Sequence, residues 1–116
     1  MKATKKNLRK AALVQFIKNC KPCKRKNIIS YLDDGGVDTL CEVIHNVFFH
    51  QLNLNKKTKR NLKKKYQAKK SLMRILSDKS KPVKARKRIL IQEGSNLGYI
   101  FSLAASILAK LLFGHA

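Results

Sequence analysis

Val37-Asp-Thr-Leu-Cys-Glu-Val-Ile-His-Asn-Val-Phe-Phe-His-Gln-Leu52 is the stretch whose pattern decides the fold. Val37, Leu40, Cys41, Ile44, Val47, Phe48 and Leu52 recur at i, i+3, i+4 and i+7, which is one face of an α-helix. Asp38 near its start is the expected N-cap, because a carboxylate there accepts the free amides of the first turn.

Two further helices precede it. Leu8, Ala12, Leu13, Phe16, Ile17 and Cys20 give one over about Thr4 to Asn19, with those residues as its inward face. Pro22 ends that helix and suits the first position of the next. The second is short, with Ile28, Ile29 and Leu32 as its apolar residues, and Gly35-Gly36 is expected to stop it. Three such helices bury only about a dozen apolar side chains, so modest stability or help from a partner is expected.

Beyond residue 55 the composition changes. Residues 56–78 read as one long helix capped by Asn55 or Thr58, with a thin stripe of Leu62, Tyr66, Met73 and Leu76 among lysines. Pro82 breaks the chain, Val83 to Ile91 forms another basic piece, and Gly94-Ser95-Asn96 reads as a flexible joint. Leu97 to Phe113 is an apolar helix of roughly 26 Å, just short of the ~30 Å hydrocarbon core of a bilayer. Gly98, Ser102, Ala105, Ser106 and Ala109 occupy one of its sides, opposite Ile100, Ala104, Ile107, Leu108 and Leu111. The fold class is therefore all-α: a helical bundle over 1–55, a lysine-rich segment built on a long helix over 56–93, then a hinge and an apolar tail helix over 94–116.

The 116 residues carry 27 Lys+Arg against 6 Asp+Glu, a net charge of +21. Solubility needs only a net charge of about 2–8 in a small domain, and the excess repels itself until a polyanion neutralises it. The charge comes in blocks: 10 Lys/Arg and no acid in 1–26, 4 acids and no Lys/Arg in 27–55, 16 Lys/Arg and one acid in 56–90. Lys56, Lys57, Lys59, Arg60, Lys63, Lys64, Lys65, Lys69, Lys70, Arg74, Lys84, Arg86, Lys87 and Arg88 form the expected nucleic-acid-binding set. Lysine dominates it and meets phosphate as a point charge, so backbone contact with little base readout is expected. Trp is absent and aromatic residues are few, which argues against base-stacking platforms.

The remaining motifs point away from catalysis. There is no phosphate loop, nucleophile elbow or zinc-protease helix, and Asp33-Asp34 is explained by a helix end or turn. No enzymatic activity and no cofactor are expected. Cys20-Lys-Pro-Cys23 with Cys41 and His45 has spacing compatible with a tetrahedral zinc site. The competing reading makes Cys20 and Cys41 ordinary apolar-face residues, and no metal is assigned. Three cysteines without a secretory h-region suit reduced thiols.

The order of parts carries a resemblance. Val37 to Val47, Leu52-Asn-Leu54, the lysine-rich helix, then Lys84-Ala-Arg-Lys-Arg-Ile-Leu-Ile-Gln-Glu-Gly94 and an apolar tail resemble the small basic proteins of polinton/Maverick-type virus-like elements and adintoviruses. There a "KRKLL-x-Q-x-GG" stretch precedes a hydrophobic C-terminus. The final third also resembles the precursor of the adenovirus core protein mu (pX). The resemblance implies a DNA-associated core protein of virions and the host nucleus, whose tail is released or touches membrane, while the acidic-apolar middle block is expected to supply self-association or docking on capsid proteins. It also implies processing by a maturation protease near Gly94 and Ser95, although Gly94-Ser95 has one glycine where the family pattern has two.

The expected function is sequence-independent DNA binding and condensation, with the basic block in 1–26 as a second contact that lets one molecule bridge two duplexes. The alternative is a membrane-active virion protein whose Ile100, Phe101, Leu103, Ile107, Leu108, Leu111, Leu112 and Phe113 enter the bilayer while lysines hold anionic headgroups. A cellular RNA-binding or ribosomal-type protein is a third reading, disfavoured by the apolar tail.

Overall fold

A computed structural model describes residues 5–49 and 54–113, and the described residues are all-helical. Seven α-helices are present among them: α1 Lys5–Asn19, α2 Pro22–Ser30, α3 Asp34–Phe49, α4 Lys56–Ala68, α5 Lys70–Ser77, α6 Val83–Glu93 and α7 Gly98–Phe113. A 3-10 turn, Gly94–Asn96, joins α6 to α7. The radius of gyration is 13.6 Å, against about 13 Å for a folded chain of this length.

The helix that opened the sequence reading is the centre of the molecule. Val37, Leu40, Cys41, Val43, Ile44, Val47 and Phe48 of α3 are all buried, and α1, α4, α5, α6 and α7 pack around it. Leu52 and Thr4 lie outside the described residues. The start of α3 differs from expectation. Gly35-Gly36 does not stop the second helix but lies in the first turn of the third. Asp33 is the cap: its carboxylate accepts the Gly36 amide at 2.8 Å. Asp38 sits one turn further in and pairs with Arg86 instead, at 2.8 Å. A side chain at Gly36 would come within 3.2 Å of Leu32, so the close approach of the α2–α3 connection explains this glycine.

Pro22 opens α2 at its first position. The inward face of α1 is rotated from the expected one. Val14 and Ile17 are fully buried, whereas Leu8 and Phe16 are 46% and 58% exposed. The partner sets this phase, because α1 lies along α7 and α7 turns Ile100, Phe101 and Ala104 inward. Lys10 ties α1 to α3 through Glu42 at 2.6 Å.

The basic segment is not one long helix. The Lys69 backbone leaves helical geometry between α4 and α5, with no proline or glycine there to force it. The Lys69 ammonium reaches the buried Glu93 at 3.2 Å, and α5 packs on α3 and α6 with Met73 and Leu76 buried. The break is thus set by tertiary packing. Asn55 caps α4, accepting the Thr58 amide at 2.8 Å. Leu62, Met73, Leu76, Ile89 and Leu90 from the basic segment and Leu97, Ile100, Phe101 and Ala104 from the tail join the same core as α3, which accordingly exceeds what the first three helices supply.

The joint at Gly94 is also packed. Gly94 is buried, and its carbonyl accepts from Arg25 at 3.0 Å. Arg25 is 4% exposed, and its guanidinium also donates to the Ile17 carbonyl at 3.1 Å and the Cys20 carbonyl at 3.2 Å. These are end carbonyls of α1, which lack partners within the helix. Lys87 acts similarly beyond the end of α2, donating to the Leu32 carbonyl at 2.8 Å.

Cys41 is buried and faces Arg86. Burial pushes its thiol above the ordinary value of 9.0, with the nearby guanidinium pulling the other way. A thiol reagent at neutral pH is expected to modify exposed Cys23 first and Cys41 only on unfolding. Because the folded pKa is the higher one, this thiol's stabilising contribution is complete below pH 9.0 and declines as pH rises beyond it. Counting reacted thiols with and without urea checks the order; rapid reaction of Cys41 in the folded protein would contradict it.

Candidate nucleic-acid interface

Charged side chains can serve a polyanion only if the fold leaves them outside and unpaired. The structure divides the expected set on this criterion. On α4, Lys56, Lys57, Lys59, Arg60, Lys63, Lys64 and Lys65 are exposed, and none forms an ion pair among the described residues. Leu62 is the buried residue of this helix and Tyr66 is half-buried, so a single apolar stripe holds it down while the cations spread over the rest of its circumference. Lys65 leans back, its ammonium 5.1 Å from the centre of the Tyr99 ring. Lys70 and Arg74 on α5 and Lys84 and Arg88 on α6 are likewise exposed.

Three members of the set are occupied elsewhere. Arg86 is 5% exposed, donates to the Lys81 carbonyl at 3.3 Å and pairs with Asp38. Burial opposes its charge, but Asp38 and Cys41 outweigh that and hold its pKa above the ordinary value. Lys87 is half-buried on the Leu32 carbonyl, and Lys69 is bound to Glu93.

The acids complete the division. Asp38, Glu42 and Glu93 take Arg86, Lys10 and Lys69, and Asp33 caps α3. Asp78 accepts from the Ser80 hydroxyl and amide, which hold its carboxyl below the usual range. Asp34, the sixth acid, is exposed in the first turn of α3, so among the described residues no acid pairs with a cation of α4.

Lys56–Arg60, Lys59–Lys63 and Arg60–Lys64 are like-charged pairs at i, i+4, an arrangement that destabilises a helix by a few tenths of a kcal/mol per pair. Multivalent anions are expected to relieve this. Adding sulfate or a polyphosphate at constant ionic strength is expected to raise the thermal midpoint and the helical circular-dichroism signal. An unchanged melt with polyphosphate would show that α4 does not gather anions.

The aromatic residues form a cluster that the sequence reading missed. The Phe49 ring lies 4.7 Å from His45 and 5.4 Å from Tyr66, and Phe48 lies 5.4 Å from Tyr66. Phe48, Phe49 and Tyr66 line a cleft of about 390 Å³ with Lys59, Arg60, Leu62 and Lys63. The available signal was Phe49 itself: it is a large apolar residue that falls outside the stripe of Val37, Leu40, Cys41, Ile44, Val47 and Phe48, and it is 52% exposed.

The potential zinc ligands are not gathered. Cys23 is exposed, Cys20 donates to the Phe16 carbonyl, Cys41 is in the core, and His45 lies 3.0 Å from the Ser77 hydroxyl. No group of three metal-ligating side chains converges among the described residues.

Of the tail residues, Ile100 and Phe101 are core, and Leu103, Ile107 and Leu108 pack partly against it. The side chains of Leu111, Leu112 and Phe113 lie outside the described part. Among the described residues no helix is long and apolar enough to cross a membrane. The backbone at Gly94 and Ser95 is a 3-10 turn with the Gly94 carbonyl on Arg25, so a protease would need the turn to open.

No family model, curated protein or solved structure matches the chain.

Proposed function

We propose that the protein binds nucleic acid, DNA foremost, through its phosphate backbone and without sequence preference, and condenses it as a core component of a viral or virus-like particle. The observation that carries this reading is the row of seven exposed cations on α4 without an acidic partner among the described residues. Such a surface attracts phosphate through counterion release. Its lysine-rich make-up suits point contacts to a backbone, not bidentate contacts to base edges. Arg9, Lys18, Lys21, Lys24 and Lys26 supply charge on α1, α2 and the segment between them, as condensation by bridging requires. The particle setting comes from the resemblance alone.

Membrane activity is the second reading. It requires α7 to withdraw Ile100, Phe101 and Ala104 from the core, at about 1.5–3 kcal/mol for each large apolar side chain exposed on the way. The α4 surface carries no such cost.

The test is a salt titration of binding to a random-sequence duplex. A steep fall in affinity with salt, about 10³–10⁵-fold between 50 and 200 mM for 6–10 neutralised phosphates, supports the proposal. Affinity that ignores salt rejects it. Leakage from anionic vesicles with no duplex binding would favour the membrane reading.

A further inference from the structure

The cleft between the end of α3 and the first turns of α4 joins two features that a duplex-binding surface does not need together. Its floor and wall are Phe48, Leu62, Tyr66 and the half-exposed Phe49, and its other lining residues are Lys59, Arg60 and Lys63. No acid lines it. A volume of about 390 Å³ lies within the roughly 300–1,000 Å³ of small-molecule sites. His45 and Tyr66 brace the Phe49 ring at 4.7 and 5.4 Å, yet half of the residue remains open. The occupant this chemistry fits has a flat apolar face with negative charge attached.

We infer that the cleft seats an unpaired nucleobase against Phe49, with the flanking phosphates on Lys59, Arg60 and Lys63. The protein then holds single-stranded nucleic acid by a contact that paired, stacked bases cannot make. This rests on the proposed nucleic-acid role and gives that surface a preference for strand form. An aromatic ring stacks on any base, so the contact adds affinity without sequence readout. An acidic peptide could meet the same cations, but it carries no flat ring that would single out Phe49.

The experiment measures binding of the full chain to a thymidine 15-mer, a blunt duplex of equal length, an abasic strand and poly-glutamate, each over a range of salt. Phe49→Leu keeps the apolar contact and removes the ring; Phe49→Tyr keeps the ring. Phe49→Leu is expected to lower affinity for the thymidine strand roughly 5- to 150-fold, the range for one base–aromatic stack, with the salt slope unchanged. Phe49→Tyr is expected to bind as wild type. Duplex, abasic strand and poly-glutamate are expected to be indifferent to both changes.

Equal losses on strand and duplex, a loss on poly-glutamate or the abasic strand, or no loss anywhere would overturn the inference. Salt-dependent binding of all the nucleic acids with a silent Phe49 leaves the α4 reading standing and removes the base site. No salt-dependent binding to any of them removes both.

Discussion

Replacing Lys56, Lys57, Lys59, Arg60, Lys63, Lys64 and Lys65 together by Gln is expected to weaken duplex binding about 10³-fold at 0.15 M salt and to flatten the salt dependence by about 0.9 per phosphate lost. The change should not cost folding. None of the seven is buried or ion-paired among the described residues, Gln is a good helix former, and three like-charged i, i+4 pairs disappear. Loss of the Lys65–Tyr99 contact, about 0.5–1 kcal/mol, is offset by the relieved pairs, so the variant should melt close to the wild-type temperature, and a melt run beside the titration separates lost binding from unfolding. Arg86→Gln is the contrasting change. It removes one charge from the same sequence block but takes the guanidinium of a buried residue away from Asp38 and the Lys81 carbonyl, so it should lower stability and leave the salt slope of the folded protein nearly unaltered. Undiminished binding by the seven-fold variant would move the polyanion site to the cations of residues 1–26. Deleting residues 56–90 is a poorer experiment, because Leu62, Met73, Leu76, Ile89 and Leu90 leave with the lysines.

The contrast between α4 and Arg86 also marks what the sequence could convey. The α3 face was legible because a central helix buries a wide, unbroken stripe, and each described apolar position in it is buried. The α1 face was not, since Leu8, Ala12 and Phe16 make one apolar line and Leu13, Val14 and Ile17 another. Periodicity offers both, and packing against α7 selects the second. The charge blocks correctly marked where cations concentrate. They could not separate Lys63 from Arg86, because both sit among lysines and differ only in which way the helix turns them. The packed Gly94 turn looked like a free joint for a related reason: Gly-Ser-Asn has the composition of a linker, and the arginine that holds it is far away in sequence.

That arginine carries the largest expected stability effect. Arg25→Met retains an apolar stem of similar reach and removes the guanidinium. The carbonyls of Ile17, Cys20 and Gly94 then lose the guanidinium, Ile17 keeping only the Cys20 amide at 3.3 Å, in a site where the arginine was 4% exposed. A hydrogen bond from a charged donor contributes about 1.5–3 kcal/mol and an unsatisfied buried carbonyl costs about 1–3 kcal/mol. Water entering the opened site recovers part of this, so the expected net loss is about 3–5 kcal/mol. That is a large share of the 5–15 kcal/mol typical of a domain and corresponds to roughly 10–20 °C in thermal midpoint. Arg25→Lys should recover only a fraction, because a single ammonium cannot span carbonyls on the end of α1 and the 3-10 turn in the same fork geometry. Gly98 makes an independent check. A side chain there would sit 3.3 Å from the guanidinium, so Gly98→Ala should destabilise the wild type more than it destabilises Arg25→Met. Urea melts of the four proteins measure this coupling. Additive losses would mean that the guanidinium does not lie against Gly98 at the start of α7.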